Sequence, residues 1–264
     1  MVQRVRVRYA KRGRLRFTSH RDFARAFERA LRRAAVPMAY SAGFSPHPKV
    51  SYVGAAPTGV ASEAEYLEIG LAAPVDVRRL RDALDASLPP GLDVVECVEA
   101  RPGSGGLADR VDASVWRVEL PGVPVAAAEA AVAAFLDRAE LQVERLTRDG
   151  RRLLDARGPV VSAVVGAPPD GSGGPCAILD LVVRQVTPAV RPDDVLAALR
   201  AVAGLAPTAP HRATRLAQGR LDDSGRLADP LAPDRSAVIP ATEARDAPDP
   251  VEQAVPSVGT TPAG

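Results

Sequence analysis

FTSHRDFARAFERALRRAAVPMAYSAGFSPHPKVSY, residues 17–52, holds two of the chain's three histidines, an arginine-rich amphipathic segment and a proline-flanked loop in one run. Ser19 reads as a helix N-cap with Asp22 three residues on, an approximate capping box. Phe23, Phe27, Ala30, Leu31 and Ala34 recur at three- and four-residue spacings, which predicts a helix over 20–35 with one buried stripe. Arg21, Arg25, Arg29, Arg32 and Arg33 fall on its other side, with only Asp22 and Glu28 to pair with them. Pro37 stops the helix. In the loop Gly43–Lys49, prolines on both sides of His47 fix φ and favour an extended, stiff backbone, which holds a side chain in place at low ordering cost. A strand enters this helix and another leaves its loop, so this stretch decides the topology.

Working outward, residues 2–9 alternate Val5, Val7 and Tyr9 with Arg4, Arg6 and Arg8, the pattern of a half-buried strand with a basic outer face. Lys11-Arg12-Gly13 reads as a hairpin turn and residues 14–18 as the returning strand, with Leu15 and Phe17 inward. Short strands follow at 38–41 and 50–53, then a strand at 64–71 and a helix at 75–88, which Pro89-Pro90-Gly91 stops, then a strand at 92–98. The glycine-rich run 101–109 punctuates the chain. Beyond it the pattern restarts: strand 115–120, helix 124–139, strands 141–147 and 151–156 about an Arg148-Asp149-Gly150 turn, an irregular strand at 160–165, a turn segment at 167–174, strand 177–183, helix 192–203 and strand 213–221. Each half has a βαββαβ-like order. The expected fold is therefore α+β, two tandem ferredoxin-like units with antiparallel sheets: a basic domain over 1–100, a linker at 101–112, a second domain over 113–221 and a disordered C-terminal tail over 222–264, where large apolar residues are few.

Charge separates the two ends. Residues 1–52 carry 13 cationic and 2 anionic side chains, net +11, whereas the whole chain is +2, so the remainder is −9. Such asymmetry points to a polyanionic partner, nucleic acid first and membrane second, against the bland reading of a well-solvated surface. Apolar residues make up 46%, enough for a core, but aromatics are only 4%, so Val, Leu and Ala must fill it. The absence of an apolar run of about 18 residues and of a leader pattern predicts a cytoplasmic, membrane-independent chain. Cys97 and Cys176 stand alone, without the spacing of a zinc site or a disulfide framework, and read as small buried residues.

His20 and His47 are the residues acid–base chemistry would use. If the helix start and the loop shared one end of the sheet, one imidazole beside Tyr40, Ser41 and Lys49 would take a 2′-hydroxyl proton and the other would protonate the leaving oxygen of a phosphodiester. Against this, His20 at a helix start and His47 in a surface loop are ordinary placements, and no residue is assigned a catalytic role outright. Two histidines without a third ligand do not make a metal site, and no cofactor is expected. Glu63, Glu65 and Glu68 read as strand surface. Arg151, Arg152, Asp155 and Arg157 form a second charged cluster, read equally as anion-binding or as an internal ion-pair set; His211 has no evident partner.

The runs Phe17–Asp22, Glu28–Arg33, Pro37–Ser41, Gly43–Lys49 and Gly59–Leu67 resemble a bacterial family, the radical-SAM-associated domain of unknown function 2344, in its standalone form. The resemblance is specific over 2–100, looser to about 221 and absent beyond. It implies partnership with a radical-SAM protein in RNA modification. With only two distant cysteines the chain lacks the three-cysteine motif of such an enzyme and is not its catalytic subunit. The reading that results is an RNA-binding accessory protein, not catalytic alone, in which Arg4, Arg6, Arg8, Arg21, Arg25, Arg29 and Lys49 meet phosphates and His20, Tyr40, Phe44 and His47 form a nucleotide pocket. The alternatives are a metal-independent endoribonuclease using His20 and His47, and a module docking the radical-SAM partner.

Overall fold

Val5, Val7 and Tyr9 lie on one face of β1 (Gln3–Lys11) and are all buried, as the alternation predicts. The computed structural model describes residues 1–147, 150–168 and 175–235. After β1 the chain does not return as a strand. Gly13–Phe17 is a turn of 3-10 helix, closed by Leu15 N–H to Arg12 O at 3.0 Å, and Phe17 is 58% exposed rather than inward. The reason is topological: β1 is paired on both edges, so no edge is free for a hairpin partner.

α1 (His20–Arg33) starts where the sequence predicts, with Ser19 Oγ accepting the Asp22 N–H at 3.2 Å, and it buries Phe23, Phe27, Ala30 and Leu31 against β1. Residues 38–41 form two isolated bridges, Met38 to Leu71 and Tyr40 to Pro48, in place of a strand. β2 (Val50–Val53), β3 (Ala61–Leu71), α2 (Val77–Ser87) and β4 (Leu92–Glu99) complete the first half; Asp76 caps α2 by accepting the N–H groups of Arg78 and Arg79, both at 2.9 Å. The second half is β5 (Ala113–Pro121), α3 (Val125–Leu136), the hairpin β6 (Gln142–Thr147) and β7 (Gly150–Asp155), then β8 (Val160–Gly166), β9 (Cys176–Arg184), α4 (Pro192–Ala203) and β10 (Arg212–Leu221). The Arg148-Asp149 turn and most of the 167–174 segment lie outside the described residues.

The chain is α+β with one large, mostly antiparallel sheet in the order β4-β1-β3-β10-β5-β9-β8, to which β2 adds along β3. The halves join in this single sheet through a short parallel pairing of β10 with β3, Thr214 to Ala61 and Arg215 to Ser62. α1 and α2 cover the first half's core of Val5, Phe27, Leu67, Ile69 and Leu84; α3 and α4 cover the second, around Val118, Phe135, Leu179 and Leu199. Each such fully buried side chain contributes roughly 1.5–3 kcal/mol on leaving water.

The reverse face of the first half is also covered. Residues 101–112, read from their glycines as a linker, send Leu107 and Val111 into a third apolar cluster with Tyr66, Val98 and Leu231. Leu231 belongs to a segment placed in the tail by composition. Residues 222–235 instead form β11 (Leu227–Ala228) beside β10, and α5 (Ala232–Arg235) against β4; residues 236–264 lie outside the described residues.

α5 brings Asp234 to β1. Arg6, 0% exposed, donates from Nη1 to Asp234 Oδ2 at 2.6 Å, from Nε to Glu68 at 2.9 Å and from Nη2 to Gly105 O at 2.6 Å. Arg110 reaches the same Asp234 oxygen at 2.6 Å. Burial pushes the Asp234 carboxyl up, but the hydrogen bonds from Arg110, the Arg101 N–H and Arg6 outweigh it and hold the group below its ordinary value. Its stabilising contribution is therefore complete above the unfolded value of about 3.9 and is lost as pH falls through the lower folded value. Melting temperature should drop on acidification below about pH 4, and Asp234→Asn should flatten that limb; an acid limb equally steep in both proteins would exclude the assignment.

Candidate functional site

α1 presents Arg21, Arg25, Arg29 and Arg32 to solvent along consecutive turns. Among the described residues none has a carboxylate within 4.0 Å, whereas Arg117 and Arg212, also surface residues, each hold one and Arg12 and Arg235 each hold two. Eleven steps of 1.5 Å from Arg21 to Arg32 make this ridge about 16 Å long. Its apolar stripe is spent on the core, so the guanidinium side has no packing role.

At the head of the ridge the 3-10 turn adds Arg14 and Arg16, and Arg16 lies over the exposed Phe17 ring, 4.7 Å from its centroid. His20 meets the Tyr52 ring edge-on at 4.9 Å, and Tyr52 is in turn set against Phe23. Burial, with Glu28 adding to it, pushes the Tyr52 phenol up to about 12, so it stays a neutral donor. Alternation over 14–18 points Phe17 inward, but the 3-10 turn has no such period and turns the ring out.

The proline-flanked loop is a small hairpin. Ser41 N–H donates to His47 O at 2.8 Å and the His47 N–H to Ser41 Oγ at 3.0 Å. Lys49 N–H donates to Ala39 O, and Lys49 O accepts from Gly70, tying the hairpin to β3. These bonds pin its base and leave its tip out: Phe44 is fully exposed and Tyr40 is 56% exposed. His47 is exposed on this hairpin before β2, while His20 touches Tyr52 at the other end of β2; the two imidazoles make no contact among the described residues.

The eleven residues expected to bind RNA do not form one cleft. Val5, Val7 and Tyr9 face α1, so Arg4, Arg6 and Arg8 lie across the sheet from it. Arg6 is corrected outright, since it is fully buried in the Asp234–Glu68 pairing and has no surface to offer a phosphate. Arg8 Nε donates to Glu63 O at 2.9 Å, and Arg4 lies 3.5 Å from Glu68 in a shallow hollow it shares with Lys49. Arg21, Arg25 and Arg29 stand together on the ridge with His20 at its start; Tyr40, Phe44 and His47 stand together on the hairpin.

The carboxylates read as strand surface are all engaged: Glu63 by Arg12, Glu68 by Arg4 and Arg6, and Glu65, 2% exposed, by Arg215 at 3.0 Å. In the second charged cluster, Asp155 accepts from the Leu141, Arg157 and Gly158 N–H groups and Arg157 donates to Val160 O and Leu136 O, an internal bracing role, while Arg151 pairs with Glu144 at 3.1 Å. His211 does have a partner, Asp193 at 2.9 Å. Cys97 is buried and its thiol pushed up to about 12 by desolvation; Cys176 is only half-buried. Among the described residues no group of three or more His, Cys, Asp or Glu is placed to hold a metal ion, and no helix is long and apolar enough to cross a membrane.

Residues 4–192 match the model of a family described as an uncharacterized protein conserved in bacteria. No curated protein matches the chain.

Proposed function

We propose, for a chain that belongs to the uncharacterized bacterial family DUF2344, that it is an RNA-binding accessory protein whose α1 ridge holds the phosphate backbone and whose exposed aromatics take unstacked bases. The observation that carries this reading is the row of four exposed arginines that have no carboxylate partner among the described residues, with the exposed Phe17 at its head and the exposed Phe44 on the neighbouring segment of chain. Guanidinium groups left free on one helix face match a polyanion, and protruding rings give sequence-tolerant stacking platforms. The partner that the family resemblance implies is a radical-SAM enzyme, which would supply the chemistry on the RNA; the two cysteines of this chain fall short of the cluster such an enzyme needs.

In the same reading the sheet is two ferredoxin-like units fused edge to edge. Its support is the strand order, β4-β1-β3-β2 with α1 and α2 in the crossovers and β10-β5-β9-β8 with α3 and α4, the β6–β7 hairpin being an insertion.

The test is retention of single-stranded RNA as a function of salt. At about 0.7 in slope per phosphate contact, four contacts weaken binding roughly 50-fold between 50 and 200 mM salt. Phe44→Ala should cost a further ~1–3 kcal/mol of binding if a base stacks there, with folding stability unchanged within about 0.5 kcal/mol because the ring packs against nothing. Retention indifferent to salt would remove the proposal.

A further inference from the structure

β10 carries a charged side chain into the junction between the halves. Arg215, 5% exposed, is the cross-strand partner of Trp116, and its guanidinium lies over the indole, 4.6 Å from the ring centroid. Its Nη1 donates to Gly54 O and to Glu65 Oε1. Its Nε is buried without a partner, and among the described residues Nη2 has none either. Lys11, 4% exposed, is buried close by and donates to Pro57 O at 3.1 Å and Ala56 O at 3.4 Å. Among the described residues Glu65 is the one carboxylate set between these two cations, and burial pulls the pKa of both Lys11 and Arg215 down, so their charged forms are held at a cost that an added anion would offset. Gly54 admits the Arg215 bond by its positive φ of 50°; a Cβ there would stand 2.8 Å from Gln218 Oε1, itself buried and unpartnered.

Beside Arg215 is a cavity of about 180 Å³ lined by Ser114, Trp116, Arg184, Gln185 and Arg191 among others, with three arginines and no acidic residue in its wall. Arg184 and Arg191 are exposed, and neither has a carboxylate within 4.0 Å among the described residues. The acids that follow Arg191 on the first turn of α4 have other side-chain partners, Asp193 with His211 and Asp194 with Arg145, each at 2.9 Å, although Asp193 also feels the Arg191 charge.

We propose that this cavity binds a phosphate group, held by Arg215 from the interior and by Arg184 and Arg191 from the rim. Several free guanidinium N–H donors converging in a partly desolvated hollow fit a tetrahedral oxyanion. The space lies below the ~300 Å³ of ordinary small-molecule sites, so it seats the phosphate and leaves any attached group outside. The site stands apart from the α1 ridge and does not depend on RNA binding there.

Trp116 is the chain's single tryptophan, so its emission reports on this cavity alone. Titration of the full chain with inorganic phosphate, a nucleoside 5′-monophosphate and the unphosphorylated nucleoside, at matched ionic strength, should give a saturable change with the first two and none with the third. Equal affinity for the two phosphates identifies free phosphate as the occupant; about tenfold tighter nucleotide binding identifies a phosphomonoester. Arg184→Gln/Arg191→Gln alters only exposed residues and should weaken either interaction by about tenfold or more. No saturable change with either phosphate, or a double variant that binds like the parent, overturns the proposal. Arg215→Lys adds a check where it folds: it keeps the charge but loses the fork of donors, and should bind more weakly than the parent.

Discussion

Replacing Arg21, Arg25, Arg29 and Arg32 together by glutamine should reduce the slope of log affinity against log salt by about 3 and remove most RNA retention at 150 mM salt. The four side chains share one solvent-facing stripe and none is paired within the described structure, so their loss breaks no internal bond. Helix propensity changes little from Arg to Gln, and the buried stripe of Phe23, Phe27 and Leu31 is untouched; melting temperature should stay near that of the parent. Filter binding across a salt series, with a melt on the same samples, reads both quantities. A variant that folds normally and keeps the parent slope would show that the ridge does not meet the phosphates. Arg4→Gln/Arg8→Gln, across the sheet, should leave the slope nearly unchanged.

Asp234→Ala is expected to be the most damaging single substitution on the reverse face, costing about 3–5 kcal/mol because it leaves the fully buried Arg6 short of one of its partners. At this chain length each kcal/mol is worth roughly 2–4 °C, so the melt should fall by about 6–20 °C. The pair is not itself a net source of stability by this argument: Arg6→Met/Asp234→Ala removes both charges and should recover much of the loss. Thermal or urea unfolding of the two variants decides it, and a single variant within 1 °C of the parent would mean that Asp234 is not the counter-charge of Arg6.

Why some of this was readable in the sequence, and some not, follows from how far each determinant lies along the chain. α4 was located to the residue because Pro192 opens it and Gly204, at φ 66°, closes it; both signals are local. α1 and its free arginine face were readable for the same reason, since one helix's periodicity gives both its buried stripe and its exposed one. Arg6 was misassigned because alternation shows only that it faces away from Val5 and Val7; that this second face is covered depends on Leu107, Leu231 and Asp234, up to 228 residues away. The division of the basic residues between two faces was within reach: if Val5 and Val7 pack on α1, Arg4 and Arg8 cannot lie beside its arginines. Glu65 also gave a signal, sharing strand parity with Leu67 and Ile69, so that a carboxylate pointed at an apolar interior. Its partner, Arg215, is 150 residues on and had no local mark.

The insertion of β10 between β3 and β5 bears on how the chain is made. Until residues 212–221 have been made and released, the strands of the two halves have no ladder between them, and a stretch of β3 backbone and the whole outer edge of β5 remain open to foreign pairing. Assembly of this protein should therefore finish late in synthesis, and premature termination anywhere before β10 should yield a sticky, protease-sensitive product rather than a smaller working one.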